Sequence, residues 1–332
     1  MIDEGAPPPA DLWALTDLAT PWSVMVVVTL GVPELLAGGA VPIDRLAADA
    51  GADPNALLRV LRQLARRGLF REVEPRRVEM TEQGRILLGR NPGLDLEGIG
   101  GRMAAAWGTL LQAVRTGRSA YADLFGRPYW EDLAANPSVA ASFDAMMGPQ
   151  GHGMPSPDVL PDGDWTGIET VVDVGGGTGS LLVAILHEHP DLRGTLVDLP
   201  ETTRRARTFL AQHGVVDRVS LSEQSFFDPL PRGGDLYLLH RVLNDWPDAD
   251  KVRILRRCAG AMGRDSRLVV LGGVTADGEE AASPELLMLV LLGAGDCSLA
   301  RFRTLAAEAG LRVRGARTPP VEHGIAVECV LA

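Results

Sequence analysis

The sequence predicts an α/β protein whose C-terminal half is a largely parallel sheet with helices between its strands. The apolar run at 171–174 leads directly into a glycine cluster at 175–179, and the helical segment 181–186 follows. Glycines permit backbone angles that a Cβ opposes and let a ligand approach the main chain closely. A strand, a glycine turn and a helix in this order are therefore typical of the first unit of a nucleotide-binding sheet.

Further strands follow this turn at regular intervals. The next one, at 195–198, ends in Asp198, whose carboxylate can accept hydrogen bonds from both hydroxyls of a ribose. The later strands are predicted at 219–221, 235–239, 267–271, 311–313 and 326–331, and the last two include an antiparallel pairing. Helices are predicted at 252–262, 286–292 and 302–309, and the second of these is expected to be buried.

Residues 10–36, which follow the proline-rich start, are predicted to be helical, with breaks at Pro21 and Pro33. The stretch 24–30 is apolar nearly all round, and a helix with no polar face has to be covered on all sides. A second subunit would provide that cover and would make the protein a dimer. Burial within one chain is the alternative.

Residues 43–88 have the order of a winged helix, in which a further helix opens at 81–84. Two helices are predicted at 43–47 and 54–67, the second capped by Asp53 and ended by Gly68, and a hairpin of 69–73 with 77–80 follows. Such modules often bind DNA, and seven arginines lie here: Arg59, Arg62, Arg66, Arg67, Arg71, Arg76 and Arg77. Interleaved glutamates and the net charge of −11 favour a solvated face over a nucleic-acid site.

Length and composition indicate a folded chain that is long enough for two domains with an ample core. The 332 residues are divided into 1–100, a helical winged-helix region; 101–160, a helical connector and cap; and 161–332, the ligand-binding sheet. Apolar runs are too short to span a bilayer, and no signal peptide is expected, so a cytoplasmic location is predicted. Three widely spaced cysteines offer neither metal nor disulfide spacing, and no metal site is expected.

Four motifs, taken together, resemble one family. DVGGGTG at 173–179, VDLP at 197–200, SFFDPLP at 225–231 and LLHRVLNDW at 238–246 are similar to motifs of the S-adenosylmethionine-dependent O-methyltransferases of plant caffeate and bacterial polyketide or anthracycline type. The resemblance covers nearly the whole chain. A dinucleotide-binding protein is the alternative. The third glycine of its G-x-G-x-x-G motif is missing here, because Ser180 occupies that position, and no P-loop motif occurs.

This resemblance implies a class I methyltransferase Rossmann-like sheet of seven strands, with an N-terminal winged-helix domain through which two chains form a homodimer. It also implies that S-adenosylmethionine is the cofactor and S-adenosylhomocysteine the product. By position in the motifs, the cofactor-binding residues are Asp173, Gly175, Gly177, Asp198, Leu199, Ser225, Phe226 and His240. Many relatives have an acid where Ser225 stands, so a contact to the adenine amine is weaker or replaced here.

The catalytic base is where the sequence departs from the family. Typical members read L-H-D-W, and the histidine deprotonates the acceptor hydroxyl, whereas Asn244 stands here. An amide cannot act as a general base, although it can orient a hydroxyl or carbonyl. Asp245 and Asp296 are the remaining candidates for a catalytic polar group.

Three reactions are compatible with this change. In the leading hypothesis, an O-methyltransferase works by proximity and orientation on an acidic phenol or enol. In the second, the acceptor is an amine or a carbon nucleophile. In the third, the protein binds the cofactor but carries out a hydroxylation, decarboxylation or pericyclic step, with the sulfonium as an electrostatic element.

The acceptor is expected to be an aromatic or polyketide-like small molecule, because the cap is rich in apolar side chains. The substrate-binding candidates are Trp107, Phe143, Met147, Trp246 and Met288, of which the first three are equally compatible with a packed core. His152, in a glycine-rich segment, is considered as a replacement base and judged more typical of an incidental loop histidine. His323, in a late loop, has no evident role.

Overall fold

The computed structural model describes residues 11–89, 91–148, 154–278, 285–318 and 325–332. The chain forms two compact units, Met1–Gly101 and Arg102–Ala332. The predicted connector, 101–160, falls in the second unit apart from its first residue. Its separation from the sheet as a third part stays a prediction.

The first unit is mostly helical. Its helices are α1 (Leu12–Leu15), α2 (Ala19–Thr29), α3 (Val32–Leu35), α4 (Ile43–Asp49) and α5 (Pro54–Ala65). Its strands are β1 (Val41–Pro42), β2 (Phe70–Glu74) and β3 (Arg77–Met80), in the antiparallel order β1-β3-β2. Short 3₁₀ segments follow at Gln83–Leu87 and Pro92–Leu94, and α6 (Ile99–Ala106) extends into the second unit.

The helix–helix–hairpin order predicted within 43–88 is present. Asp53 accepts hydrogen bonds from the backbone N–H groups of Asn55 and Ala56, which caps α5 as expected. Gly68 follows α5 with a φ of +77°, a left-handed conformation that favours glycine.

The predicted break at Pro21 is wrong. Pro21 lies in the first turn of α2, where its missing N–H leaves no helical bond unmade, and the helix continues to Thr29. The break occurs instead at Gly31, whose φ is +64°, and Pro33 lies in the first turn of α3. Of the residues of α2, only Val27 is fully buried within the chain.

The second unit contains the sheet. Its strands are β4 (Thr170–Val174), β5 (Arg193–Asp198), β6 (Val219–Glu223), β7 (Leu236–His240), β8 (Arg267–Leu271), β9 (Val274–Thr275), β10 (Cys297–Ser298), β11 (Leu311–Arg317) and β12 (Ala326–Leu331). Its helices are α7 (Leu110–Thr116), α8 (Tyr121–Phe125), α9 (Tyr129–Ala135), α10 (Pro137–Met147), α11 (Ser180–Glu188), α12 (Pro200–Gln212), α13 (Asp248–Ala261), α14 (Glu285–Leu292) and α15 (Leu299–Glu308). One-turn 3₁₀ helices lie at Trp107–Thr109, Val216–Arg218 and Leu243–Asp245.

The predicted seven-stranded sheet is confirmed, in the order β11-β12-β8-β7-β4-β5-β6. Strands β4 to β8 are parallel, and β12 runs antiparallel to both β8 and β11. The chain fills the sheet outward from β4 to β6 and then crosses to β7 on the other side of β4. Ligands of open α/β sheets bind at the carboxyl ends of the strands beside such a reversal, which here lies between β4 and β7.

The helix predicted at 286–292 is present as α14, but it is not buried as a whole. Val290 and Leu291 are buried, whereas Leu286 is 53% exposed. An apolar sequence predicts that a helix is covered but does not say by what. Within this one chain the helix is only partly buried, and its cover by a pocket or by a second subunit stays a prediction.

The helices ahead of the sheet are joined by one buried carboxylate. Asp132, on α9, accepts hydrogen bonds from the Tyr121 hydroxyl (2.7 Å), the Arg102 Nε (2.8 Å) and the Asn136 amide (2.8 Å). The Arg102 guanidinium lies 4.6 Å from the centre of the Phe125 ring. These bonds fix α8 and α9 against each other and so hold the neighbouring Trp130 in place.

Candidate active site

A cavity of about 730 Å³ lies at the carboxyl ends of the central strands. The main chain contributes the turn after β4 (Gly175, Gly176, Gly177, Thr178), the end of β5 (Asp198, Leu199) and the end of β7 (His240, Arg241, Val242). Aromatic and sulfur side chains form much of the remaining wall: Trp130, Phe143, Met147, Phe226, Phe227 and Trp246. The cavity therefore lies where the sheet order predicts a ligand.

The glycine turn needs its glycines for two reasons. Gly175 and Gly177 have φ values of +71° and +60°, a region that side chains oppose. A Cβ on Gly175 would lie 2.9 Å from Val242 Cγ2, whereas a Cβ on Gly177 would meet no atom within 4 Å. Gly175 is thus closed in by the protein, and Gly177 presents bare backbone to the open space that a ligand can fill.

Asp173, the last residue but one of β4, is a fully buried carboxyl group in the cavity wall. Neither of its oxygens has a hydrogen-bond partner among the described residues. Burial raises the pKa of Asp173 to about 7. The nearby His240 lowers this pKa, and the negative charge of Asp198 raises it. Buried acceptors are normally satisfied, so this carboxyl group calls for a donor on a ligand.

Asp198, at the end of β5, is held by two backbone N–H groups. Gly177 donates to its Oδ2 at 2.9 Å, and Leu199 donates to its Oδ1 at 2.7 Å. Burial nevertheless raises the pKa of Asp198 to about 6. A carboxylate offers about four lone-pair positions, so about two remain for hydroxyl groups of a ligand.

Part of the cavity wall consists of aromatic rings that lie close to one another. The Phe227 and Trp246 ring centres are 4.8 Å apart and nearly perpendicular, and Trp130 is stacked on Trp246 at 6.5 Å. Phe143 meets Trp130 edge to face at 5.4 Å. Such walls bind a planar aromatic ligand and exclude water from it.

One further carboxyl group, that of Asp245, lines the cavity. The Asn244 amide donates to Asp245 Oδ1 at 3.0 Å. Burial, and secondarily the negative charge of Asp296, raise the pKa of Asp245 to about 8. The carboxyl group of Asp245 is thus protonated at neutral pH and becomes a base slightly above it.

Most of the predicted site residues line this one cavity: Asp173, Gly175, Gly177, Asp198, Leu199, Ser225, Phe226, His240, Asp245, Phe143, Met147 and Trp246. Asn244, Asp296, Trp107 and Met288 do not line it. Trp107 is 43% exposed, and Met288 lies on α14. All of these roles stay predictions, and His152 and His323 lie outside the described residues.

The cavity is also lined by residues that the sequence motifs do not identify, among them Trp130, Arg205 and Arg241. Arg241 had a usable signal, because it directly follows His240 at the carboxyl end of a parallel strand. No sequence signal identifies Trp130 or Arg205, because they reach the cavity through tertiary packing of α9, α10 and α12.

No group of residues suited to hold a metal ion occurs in the described ranges. None of the helices described is long and apolar enough to cross a bilayer.

Comparison with known proteins gives two matches to family models. Residues 13–90 match an O-methyltransferase dimerisation domain, and residues 107–312 match an O-methyltransferase domain. The chain is 38% identical over 322 residues to the 2,7-dihydroxy-5-methyl-1-naphthoate 7-O-methyltransferase of Streptomyces carzinostaticus, covering 96% of both chains.

Two further similarities bear on the chemistry. The aclacinomycin 10-hydroxylase of Streptomyces purpurascens is 37% identical, over 92% of this chain and 84% of that protein. The crystal structure of an O-methyltransferase from neocarzinostatin biosynthesis, in complex with S-adenosylmethionine and 2-hydroxy-5-methyl naphthoic acid, has a TM-score of 0.89 and 37% identity. It covers 98% of this chain and 100% of that one.

Proposed function

Because this chain belongs to the O-methyltransferase family, we propose that it transfers a methyl group from S-adenosylmethionine to a hydroxyl group of an aromatic, polyketide-like natural product. The cofactor supplies an electrophilic methyl group on a sulfonium sulfur. The aromatic acceptors named for the relatives support this class of acceptor, as do the ring-lined walls of the cavity.

The residues at the carboxyl ends of β4 and β5 fit this cofactor. Asp173 is a buried acceptor without a donor, which suits an ammonium group. Asp198 has lone pairs left for ribose hydroxyls, and the bare backbone at Gly177 leaves room for close approach. Ser225 and Phe226, in the same wall, would adjoin the adenine.

The observation that carries the proposal is the position and pKa of Asp245. It lines the same cavity as the glycine turn, and burial brings its pKa, about 8, to within about two units of that of a phenol, about 10 for tyrosine. The ionised fraction of Asp245 accepts the proton of the acceptor hydroxyl. The oxygen would then bond to the methyl carbon as the bond from that carbon to sulfur breaks and S-adenosylhomocysteine leaves.

Asn244 has a different role from the histidine of typical relatives. It cannot take a proton, but its amide N–H holds Asp245 Oδ1 at 3.0 Å and thereby fixes the direction of the carboxylate. The rings of Trp130, Trp246 and Phe143 would hold the acceptor plane, and alignment of this kind can supply about 7 kcal/mol or more of the barrier reduction.

A direct assay tests the transfer. The protein is incubated with S-adenosylmethionine carrying a labelled methyl group and with hydroxynaphthoic acids, naphthols and aryl amines, and S-adenosylhomocysteine and product masses are quantified. The proposal predicts one labelled methyl group on oxygen for each S-adenosylhomocysteine released. Methyl gain on an amine or on carbon would contradict the choice of acceptor.

One other function has a specific observation in its favour. Asn244 stands where typical relatives have their histidine base, and a relative of 37% identity is named as a hydroxylase. In that case the cofactor would remain intact while the substrate changed. Substrate consumption without S-adenosylhomocysteine in the assay above would establish this alternative.

A further inference from the structure

Arg241 is a charged side chain in the cavity wall that has no ionic partner. Its guanidinium makes no hydrogen bond or ion pair with any residue that the structure describes. The other arginine of the wall, Arg205, is paired with Asp144. An arginine that lines a largely apolar cavity without a counter-charge is costly unless a ligand provides one.

The backbone of Arg241 is held in an unfavourable conformation. Its φ is +55°, in the left-handed region that bulky residues rarely adopt, and its N–H donates to the Leu271 carbonyl at 2.8 Å. Glycine or asparagine would occupy this position at less cost. Residues held in such conformations cluster at functional sites, so the strain is consistent with a binding role for the side chain.

The sheet order places Arg241 on the β8 side of the cavity, away from the strand ends that carry Asp173 and Asp198. A Cβ built on Gly272 would lie 3.3 Å from Arg241 Cγ, so the stem of the side chain leans towards the end of β8. Strand β8 flanks β7 on the side away from β4 and β5, whose ends carry Asp173 and Asp198. Val242, by contrast, lies against Gly175 of the cofactor turn.

No ion pair joins Arg241 to an acid of the cavity wall among the described residues, and Glu201 of that wall is paired with Arg204. Asp198 is bound by two backbone N–H groups, and Asp144 is paired with Arg205. Burial raises the pKa of Asp173 to about 7 and that of Asp245 to about 8, so a substantial share of each group is protonated near neutral pH.

We propose that Arg241 binds a carboxylate on the aromatic acceptor, so that the preferred substrates are hydroxyaryl carboxylic acids. A guanidinium presents parallel N–H donors that match the two oxygens of a carboxylate, which fixes the orientation of the ring as well as its position. The inference rests on the proposed function, because it names the acceptor of the same reaction.

The test compares acceptors that differ only in the anionic group. For a hydroxynaphthoic acid, its methyl ester and the corresponding naphthol, kcat/KM is measured with the wild type, Arg241→Met and Arg241→Lys. Loss of a hydrogen-bonded charge pair in Arg241→Met should lower kcat/KM for the acid by about 10- to 100-fold. The ester and the naphthol should change by less than about threefold, and Arg241→Lys should restore part of the preference for the acid.

Two binding measurements separate the possible failures. Calorimetry with S-adenosylhomocysteine should give the same affinity for the wild type and Arg241→Met; a loss confined to this ligand would assign Arg241 to the cofactor carboxylate and overturn the inference. Calorimetry with the hydroxynaphthoic acid needs no turnover, so it decides the role of Arg241 even if no methyl transfer occurs. Equal affinity of both proteins for the acid would also overturn it.

Thermal unfolding checks that the variants fold. Arg241→Gly removes both the charge and the strain, so it should unfold at a temperature equal to or above that of the wild type while losing the preference for the acid. A lower unfolding temperature would show that the left-handed conformation serves packing and would count against a binding role.

Discussion

The carboxyl group of Asp245 combines a buried position with a pKa close to neutral pH. A carboxyl group in a ring-lined wall resists ionisation, and a group with a pKa near the working pH is an effective proton acceptor. Asn244 and Asp296 act on it in opposite senses. The amide donor favours the charged form, and the neighbouring negative charge disfavours it.

We therefore expect two substitutions to move the acidic limb of the pH profile of kcat/KM in opposite directions. Asn244→Ala removes the hydrogen bond to the carboxylate, which raises the pKa of Asp245 and shifts the limb to higher pH. Asp296→Asn removes the neighbouring charge, which lowers the pKa of Asp245 and shifts the limb to lower pH. Loss of activity at every pH in Asp296→Asn would instead identify Asp296 as the base.

At the scale of elements, the turn after β4 depends on one closed-in glycine. Gly175→Ala places a Cβ 2.9 Å from Val242 on a backbone with φ of +71°, so the turn must move. We expect affinity for S-adenosylhomocysteine, measured by calorimetry, to fall by about 100-fold or more, a size that fits about 3 kcal/mol of strain.

A second glycine supplies the control. Gly117 ends α7 with a φ of +66°, and a Cβ there would meet no atom within 4 Å. Gly117→Ala should cost about 1 kcal/mol of unfolding free energy, the ordinary cost of a left-handed alanine, and leave the affinity unchanged. Equal effects of the two substitutions on affinity would show that general destabilisation, and not the turn, is responsible.

Asp132 stabilises the packing of α8 against α9, the helix that carries Trp130. Asp132→Ala leaves the Arg102 charge and the Tyr121 hydroxyl without their shared acceptor. We expect the unfolding free energy in urea to fall by about 3 kcal/mol, as for other broken buried pairs. The KM for the acceptor should rise while cofactor affinity stays the same. A cofactor affinity that fell as much as the acceptor affinity would contradict this division of roles.

The central strands could be predicted from sequence because buried parallel strands are short apolar runs between glycines and helices. The glycine turn and Asp198 were predicted for the same reason, since their positions follow from the ends of those strands. Trp130 and Arg205 could not, because they approach the cavity from helices far away in sequence. Pro21 was misjudged because proline breaks a helix in its interior and is tolerated in its first turn.

At the scale of the whole molecule, the N-terminal unit shows the apolar surface that a dimer needs. Five large apolar side chains near its start are exposed: Leu12, Trp13, Leu15, Leu18 and Trp22. Residues 13–90 match a dimerisation domain, and we propose that two chains pair through this unit.

The variant Trp13→Asp with Leu15→Asp should therefore be a monomer by size-exclusion chromatography with light scattering, because buried charges would oppose pairing. Leu111→Asp, at an exposed apolar position of α7 in the other unit, is the matched control and should remain a dimer. Dissociation of the Leu111 variant alone would place the dimer surface elsewhere.

The most direct test of the account is the pH profile of kcat/KM for the wild type and Asp245→Asn, with a phenolic acceptor whose own pKa lies well above 9. The wild type should rise with pH and level off above about 8, because the ionised carboxylate is required. Asp245→Asn should lose this limb and fall by about 100-fold or more, the usual contribution of a general base. An unchanged profile in Asp245→Asn would show that alignment alone suffices and that Asp245 takes no proton.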